Sequence, residues 1–161
     1  MITQYTTATH IPFSDFTPLC KVADSFCTLS LRTDLPYKTM EEFFDAVRKE
    51  PGKFTMAGSG TKSIWYALMR ELEQAVGLKF NYIPYDGGAP AATAVAGKHV
   101  DCCLIDMATI LSLYQAGELK VVGYFGKERN PKIPDAKTAI EIGYPDLTLV
   151  SWFGLALPNG V

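Results

Sequence analysis

The chain has 161 residues, 48% hydrophobic and 20% charged, with a formal net charge of −2. That length suits one domain with a real core, and the composition excludes a disordered segment. The 15 basic and 17 acidic residues are mixed along the chain, with no basic stripe to hold a phosphate backbone, which excludes nucleic acid as a partner. No apolar run reaches the ~18 residues of a membrane-spanning helix.

Met1 to Thr7 lack the basic and apolar regions of a signal peptide, so Met1 reads as an introduced start and does not fix the compartment. Residues 1–20 are polar, carry Pro12 and Pro18, and read as an irregular lead-in. Lys21 to Leu31 is apolar without a helical stripe, as in a strand. Thr39 is a good N-cap and Glu42 completes a capping box. The helix runs to about Lys49 with Met40, Phe43, Phe44 and Val47 on one face, and Glu50-Pro51-Gly52 ends it.

The alternation continues. Lys53 to Ala57 is a short strand, Gly58-Ser59-Gly60-Thr61 a tight loop, and Ser63 to Val76 a helix stopped by Gly77. Leu78 to Ile83 is a strand, Pro84-Tyr85-Asp86-Gly87-Gly88 a second glycine loop, and Pro90 to Ala96 a short helix. Val100 to Ile105 is a strand, after which Asp106 opens a helix ending at Gly117. Leu119 to Phe125, a short helix from Thr138 to Ile142, and a last strand from Leu149 to Leu157 complete the pattern. Strands alternating with helices predict an α/β fold with a mostly parallel central sheet and helices on both faces. Ligands of such sheets sit outside the carboxyl ends of the strands, where both glycine loops fall.

Gly58-Ser59-Gly60-Thr61-Lys62-Ser63 offers close backbone approach, a helix N-terminus with its positive dipole end, and three hydroxyls. The same segment also reads as a tight turn with an N-cap. Pro84-Tyr85-Asp86-Gly87-Gly88-Ala89-Pro90 repeats the design and adds an aromatic phenol. Two such loops on one edge favour an anion-binding cleft. The candidate contacts are Gly58, Ser59, Gly60, Thr61, Ser63, Tyr85, Gly87, Gly88 and Ala89, with Lys62, Asp106 and Trp152 as further candidates. Asp106 reads first as a helix cap.

Rival chemistries find little support. The first loop lacks phosphate-loop spacing: Thr61 separates Gly60 from Lys62, and Thr55 stands where the motif needs its first glycine. His10 and His99 are the only histidines, and His99 reads as a surface residue. Glu41 with Glu42, and Glu71 with Glu73, read as solvated helix faces. Trp65 reads as core or interface. Cys20, Cys27, Cys102 and Cys103 lack metal-ligand spacing, and adjacent Cys102 and Cys103 point to opposite faces of a strand. They read as small buried hydrophobes, with a disulfide between distant cysteines as the alternative, its pairing unassigned. No catalytic residue, metal site or cofactor is expected.

Several segments, in order along nearly the whole chain, carry a family resemblance. They are Asp15-Phe16-Thr17-Pro18, Pro51-Gly52-Lys53-Phe54-Thr55-Met56-Ala57-Gly58-Ser59-Gly60, Ile83-Pro84-Tyr85-Asp86-Gly87-Gly88-Ala89-Pro90-Ala91, Gly97-Lys98-His99-Val100-Asp101, Ala116-Gly117-Glu118-Leu119-Lys120, Asp135-Ala136-Lys137-Thr138-Ala139-Ile140-Glu141-Ile142-Gly143, and Ser151-Trp152-Phe153-Gly154-Leu155-Ala156-Leu157-Pro158. Together the chain resembles the tripartite tricarboxylate transporter receptors, the Bug-type solute-binding proteins. The resemblance implies a type II periplasmic-binding-protein-like lobe. This would be the second of two, with 1–20 a hinge-proximal lead-in, 21–157 the lobe, and 158–161 a cut hinge-proximal end. It also implies a periplasmic receptor that binds a small organic carboxylate without an enzymatic step. Its partners would be the ligand, the missing first lobe and membrane permease subunits. A ligand-sensing domain built on the same lobe is the alternative. Three departures bear on the ligand: Asp86 stands where lysine is frequent, Lys62 where a small residue is common, and Lys137 where proline usually precedes Thr138. Asp86 would weaken a nearby anion site unless it faces solvent, and Lys62 would strengthen one.

Overall fold

A computed structural model describes residues 12–160; His10 and the first part of the lead-in lie outside them. The strands are β1 (Phe16–Arg32), β2 (Thr55–Ser59), β3 (Asn81–Tyr85), β4 (Cys102–Asp106), β5 (Leu119–Tyr124) and β6 (Val150–Pro158). The α-helices are α1 (Met40–Lys49), α2 (Ile64–Val76), α3 (Gly88–Ala96) and α4 (Met107–Gln115), with short 3-10 turns at Phe13–Asp15 and Ile140–Ile142.

The sheet order is β3-β2-β4-β1-β5, with β6 paired to β1 outside that path. β2 pairs parallel with β3 and β4, whereas β1 runs antiparallel to β4 and β5. β3, β2, β4 and β5 therefore point one way, and β1 is inserted against them. The α/β lobe expected from the sequence is present, but its sheet is mixed rather than mostly parallel: the two pairings of β2 are parallel and the three pairings of β1 are antiparallel.

Strand alternation divides the core. Cys102 and Leu104 join α1 and α2 in one cluster, while Cys103 and Ile105 join α3 and α4 in the other. Helices thus cover both faces, and neighbouring cysteines enter opposite cores because side chains alternate along a strand. Phe43, Phe44 and Phe125 are the bulkiest fully buried side chains among the described residues. Together the buried apolar residues supply the main stabilisation, at about 25 cal/mol per Å² of apolar area removed from water.

Local signals set the helix ends. Thr39 accepts from the Glu42 N–H at 3.2 Å, and the Glu42 side chain reaches back to the Thr39 N–H. Ser63 caps α2, and Gly77 ends it in the left-handed conformation at φ 69°. Four expectations need correction. The lead-in is not irregular to residue 20, because β1 begins at Phe16. The segment ending at Ile142 makes only a 3-10 turn. The first two glycine-flanked strands also sit about two residues later than expected, at Thr55–Ser59 and Asn81–Tyr85. Glu73 is not solvated: it is buried, accepts the Phe80 N–H at 2.7 Å and pairs with Arg70.

The N-terminal half of β1 leaves the lobe. Phe16 to Phe26 pair with β6 alone, from Phe16↔Pro158 to Phe26↔Val150. Bulges at Pro18/Cys20 and Lys21/Ala23 interrupt the pairing; proline, which cannot donate to a ladder, is tolerated beside such an interruption. Leu19, Val22, Trp152, Phe153, Leu155 and Leu157 are exposed on this ribbon.

Candidate functional site

Because four strands run the same way, their carboxyl ends share one edge. Register places Ser59 beside Tyr85, Cys27 beside Asp106, and Thr28 beside Tyr124. Adjacent strands lie about 5 Å apart, so the loops after β2, β3 and β4 are neighbours. The helix after β2 covers one face and the helices after β3 and β4 cover the other. Connections that diverge to opposite faces open a crevice at the strand ends. The β1–β6 ribbon leaves from this same edge.

The first loop is tightly held. The Ser63 N–H donates to the Gly60 carbonyl at 2.8 Å. The Ser63 hydroxyl donates to the Ser59 carbonyl at 3.2 Å and accepts the Tyr66 N–H at 3.3 Å. The Tyr82 hydroxyl donates to the same Ser59 carbonyl. Burial pushes the Tyr82 phenol up to about 12, which keeps it a donor. Gly60, Thr61 and Lys62 are exposed, whereas Gly58 is buried.

The glycines have different reasons. A Cβ on Gly58 would overlap the Tyr82 hydroxyl and lie 3.0 Å from its ring. Gly58 is therefore required by packing against Tyr82, where the sequence suggested room for a ligand. Gly60 faces open space, and Gly88 packs closely on Ile105 and Thr109. Gly87 holds φ 112°, a conformation that disfavours side chains.

The second loop ends in an uncapped helix. Thr39, Ser63 and Asp106 cap α1, α2 and α4 with their side chains. Gly87 at the N-cap of α3 has no side chain to do so. The Gly88 and Ala89 amides at that helix start are therefore left without a side-chain acceptor, and the dipole end adds positive potential. Asp86 beside them is exposed.

The other candidates separate. Asp106 is a cap: it accepts the Thr109 N–H at 3.0 Å and the Thr109 hydroxyl at 2.8 Å. Tyr85, expected in the second loop, is instead the last residue of β3; its ring packs against the α3 and α4 core cluster and lines an outer groove with Ala89 and His99. His99 is exposed, and Trp65 packs on the first core cluster. Trp152 pairs with Asp24 on the ribbon and is 56% exposed. It lines a groove of about 710 Å³ with Leu19, Phe26, Lys127 and Leu155. Sequence reasoning missed Tyr82. A tyrosine two residues before Pro84 gives no local sign that it reaches across to the neighbouring strand.

The four cysteines are free thiols; Cys27, Cys102 and Cys103 are buried as expected, whereas Cys20 is exposed because it lies on the β1–β6 ribbon outside the core. Burial pushes the Cys103 thiol up to about 12 and the Cys27 and Cys102 thiols higher as well.

A family model for the tripartite tricarboxylate transporter family receptor matches residues 2–161. The UPF0065 protein in gbd 5′region of Cupriavidus necator is 29% identical over 149 residues, which cover 92% of this chain and 45% of that protein. The solved periplasmic binding protein BugD matches with a TM-score of 0.81 at 29% identity, over 90% of this chain and 48% of that one. MatC from Rhodopseudomonas palustris, with bound malate, matches with a TM-score of 0.84 at 25% identity, over 99% of this chain and 55% of that one. The chain spans about half the length of the curated relatives it matches.

Proposed function

The chain belongs to the tripartite tricarboxylate transporter receptor family, whose members are solute-binding proteins and not enzymes, and on that premise we propose that it is the second lobe of an extracytoplasmic receptor that captures a small organic carboxylate. The observation that carries this reading is the uncapped start of α3 beside the first glycine loop. Backbone amides there neutralise a carboxylate without a net positive surface, which suits a chain of net charge −2.

Specificity belongs to a closed cleft between two lobes. A ligand gripped by one lobe has half its contacts and remains hydrated, so binding to this chain alone is weak, with Kd on the order of millimolar. The exposed apolar ribbon is where the first lobe joins, so of the expected 21–157 the part from Cys27 to Leu149 forms the lobe and both ends run into the ribbon. The closed receptor then hands its ligand to a membrane permease.

The test is a thermal melt of the chain in a panel of organic acids and their uncharged amides. A ligand at ~10 times its Kd stabilises by about 1.4 kcal/mol, which raises Tm by roughly 3–5 °C at this size. The reading requires that malate raise Tm more than its diamide at equal ionic strength. Equal effects of acid and amide would overturn it.

A further inference from the structure

We infer that Asp86 determines ligand charge: it discriminates against a second negative charge on the ligand and so favours monocarboxylates. This rests on the carboxylate reading above and narrows its ligand class.

The observation that carries it is a carboxylate the fold leaves unused. Asp86 lies between Tyr85, the end of β3, and Gly87, the N-cap of α3. It is exposed, and α3 has no side-chain cap. No hydrogen bond or ion pair engages Asp86 among the described residues. Acids at other helix or turn starts are engaged. Glu42 accepts the Lys38 N–H at 2.7 Å, Asp106 takes the Thr109 N–H and hydroxyl, and Glu141 takes Arg129 and the Thr138 N–H. Lys62, the nearby cation of the first loop, has a partner of its own.

The charge of Asp86 acts without touching the ligand. Asp86 is two residues from Gly88, so their Cα atoms lie within about 7 Å whichever way the carboxylate turns. That is inside the screening length of about 8 Å at physiological salt, so exposure damps the charge and does not silence it. A first carboxylate at the Gly88 and Ala89 amides gains the dipole end of α3, which offsets the repulsion. A second carboxylate meets the same repulsion with no free helix start beside it, because Ser63 and Asp106 already cap α2 and α4. Rejecting a competitor by like charge is a general route to specificity.

The experiment is an amide-resolved NMR titration of wild type and Asp86→Asn with malate and with lactate, together with the Tm of each protein. At about pH 7, well above ordinary carboxyl pKa values, malate carries two negative charges and lactate one. The expected result is that Asp86→Asn tightens malate about two- to fivefold more than lactate, the size of one exposed charge pair. The difference should fade at about 1 M salt and grow in Asp86→Lys. If Asp86 serves only the dipole of α3, Asp86→Asn lowers Tm and leaves the malate-to-lactate ratio unchanged. That result overturns the inference while the carboxylate reading stands. Absence of shifts in either glycine loop with both acids overturns both.

Discussion

Gly58 and Tyr82 are fitted to each other across β2 and β3: the space a Cβ would need on one is occupied by the hydroxyl of the other. Gly58→Ala therefore overpacks this contact and costs about 1–3 kcal/mol, lowering Tm by roughly 2–4 °C for each kcal/mol. In a Tyr82→Phe background the cost should shrink, because the hydroxyl is gone. A double-mutant cycle by thermal melting measures the coupling; strict additivity would contradict the fit.

Thiol accessibility follows from the sheet. Cys27, Cys102 and Cys103 are buried and their thiols are pushed up by burial, while Cys20 is exposed on the ribbon. An aromatic disulfide reagent at pH 8 should modify one thiol in the native chain, removed by Cys20→Ser, and all four in denaturant. Rapid modification of Cys103 in the native state would contradict the packing.

The ribbon predicts stickiness. Leu155 is 59% exposed beside Trp152 and Phe153, and none of the described residues covers that surface. Leu155→Lys should leave stability within about 0.5 kcal/mol. It should lower binding of an apolar fluorescent dye and any self-association seen by sedimentation. A large loss of Tm would show instead that the ribbon's own packing holds the lobe together.

Glu141 adds a small acid-sensitive contribution to the lobe's stability. Its carboxylate accepts the Arg129 Nε–H at 2.9 Å and the Thr138 N–H at 2.8 Å. The Arg129 hydrogen bond, then the Thr138 N–H, lower its pKa from 4.5 to about 2. A depressed folded pKa means stability that is present above the unfolded value and lost as pH falls through the folded one. Wild type should exceed Glu141→Gln in Tm at pH 6, and the gap should close between pH 4.5 and 2. A constant gap over that window would contradict the assignment.

Much of the fold was legible because its signals are local. Thr39 with Glu42, Ser63, Gly77 and Asp106 act within a few residues of themselves, so caps and helix ends could be read directly. What escaped is non-local. Nothing near Phe16 tells that it pairs with Pro158, so the strand seemed to begin at Lys21. The reversed direction of β1 depends on partners more than 70 residues away, such as Ile105 opposite Thr28. The two glycine loops on one edge were legible. The reason for Gly58 was not, because it owes its identity to Tyr82, a residue on another strand. Glu73 looked solvated until the Phe80 N–H turned out to be its partner.

The central claim is that a carboxylate sits on backbone amides at the shared strand edge. A two-dimensional amide NMR titration of this chain with malate tests it most directly, since the method detects millimolar binding residue by residue. Shifts concentrated in the amides from Gly58 to Ser63 and from Tyr85 to Ala89, and absent with the diamide, are the expected result. Shifts confined to the ribbon around Trp152, or none in either glycine loop, would contradict the claim.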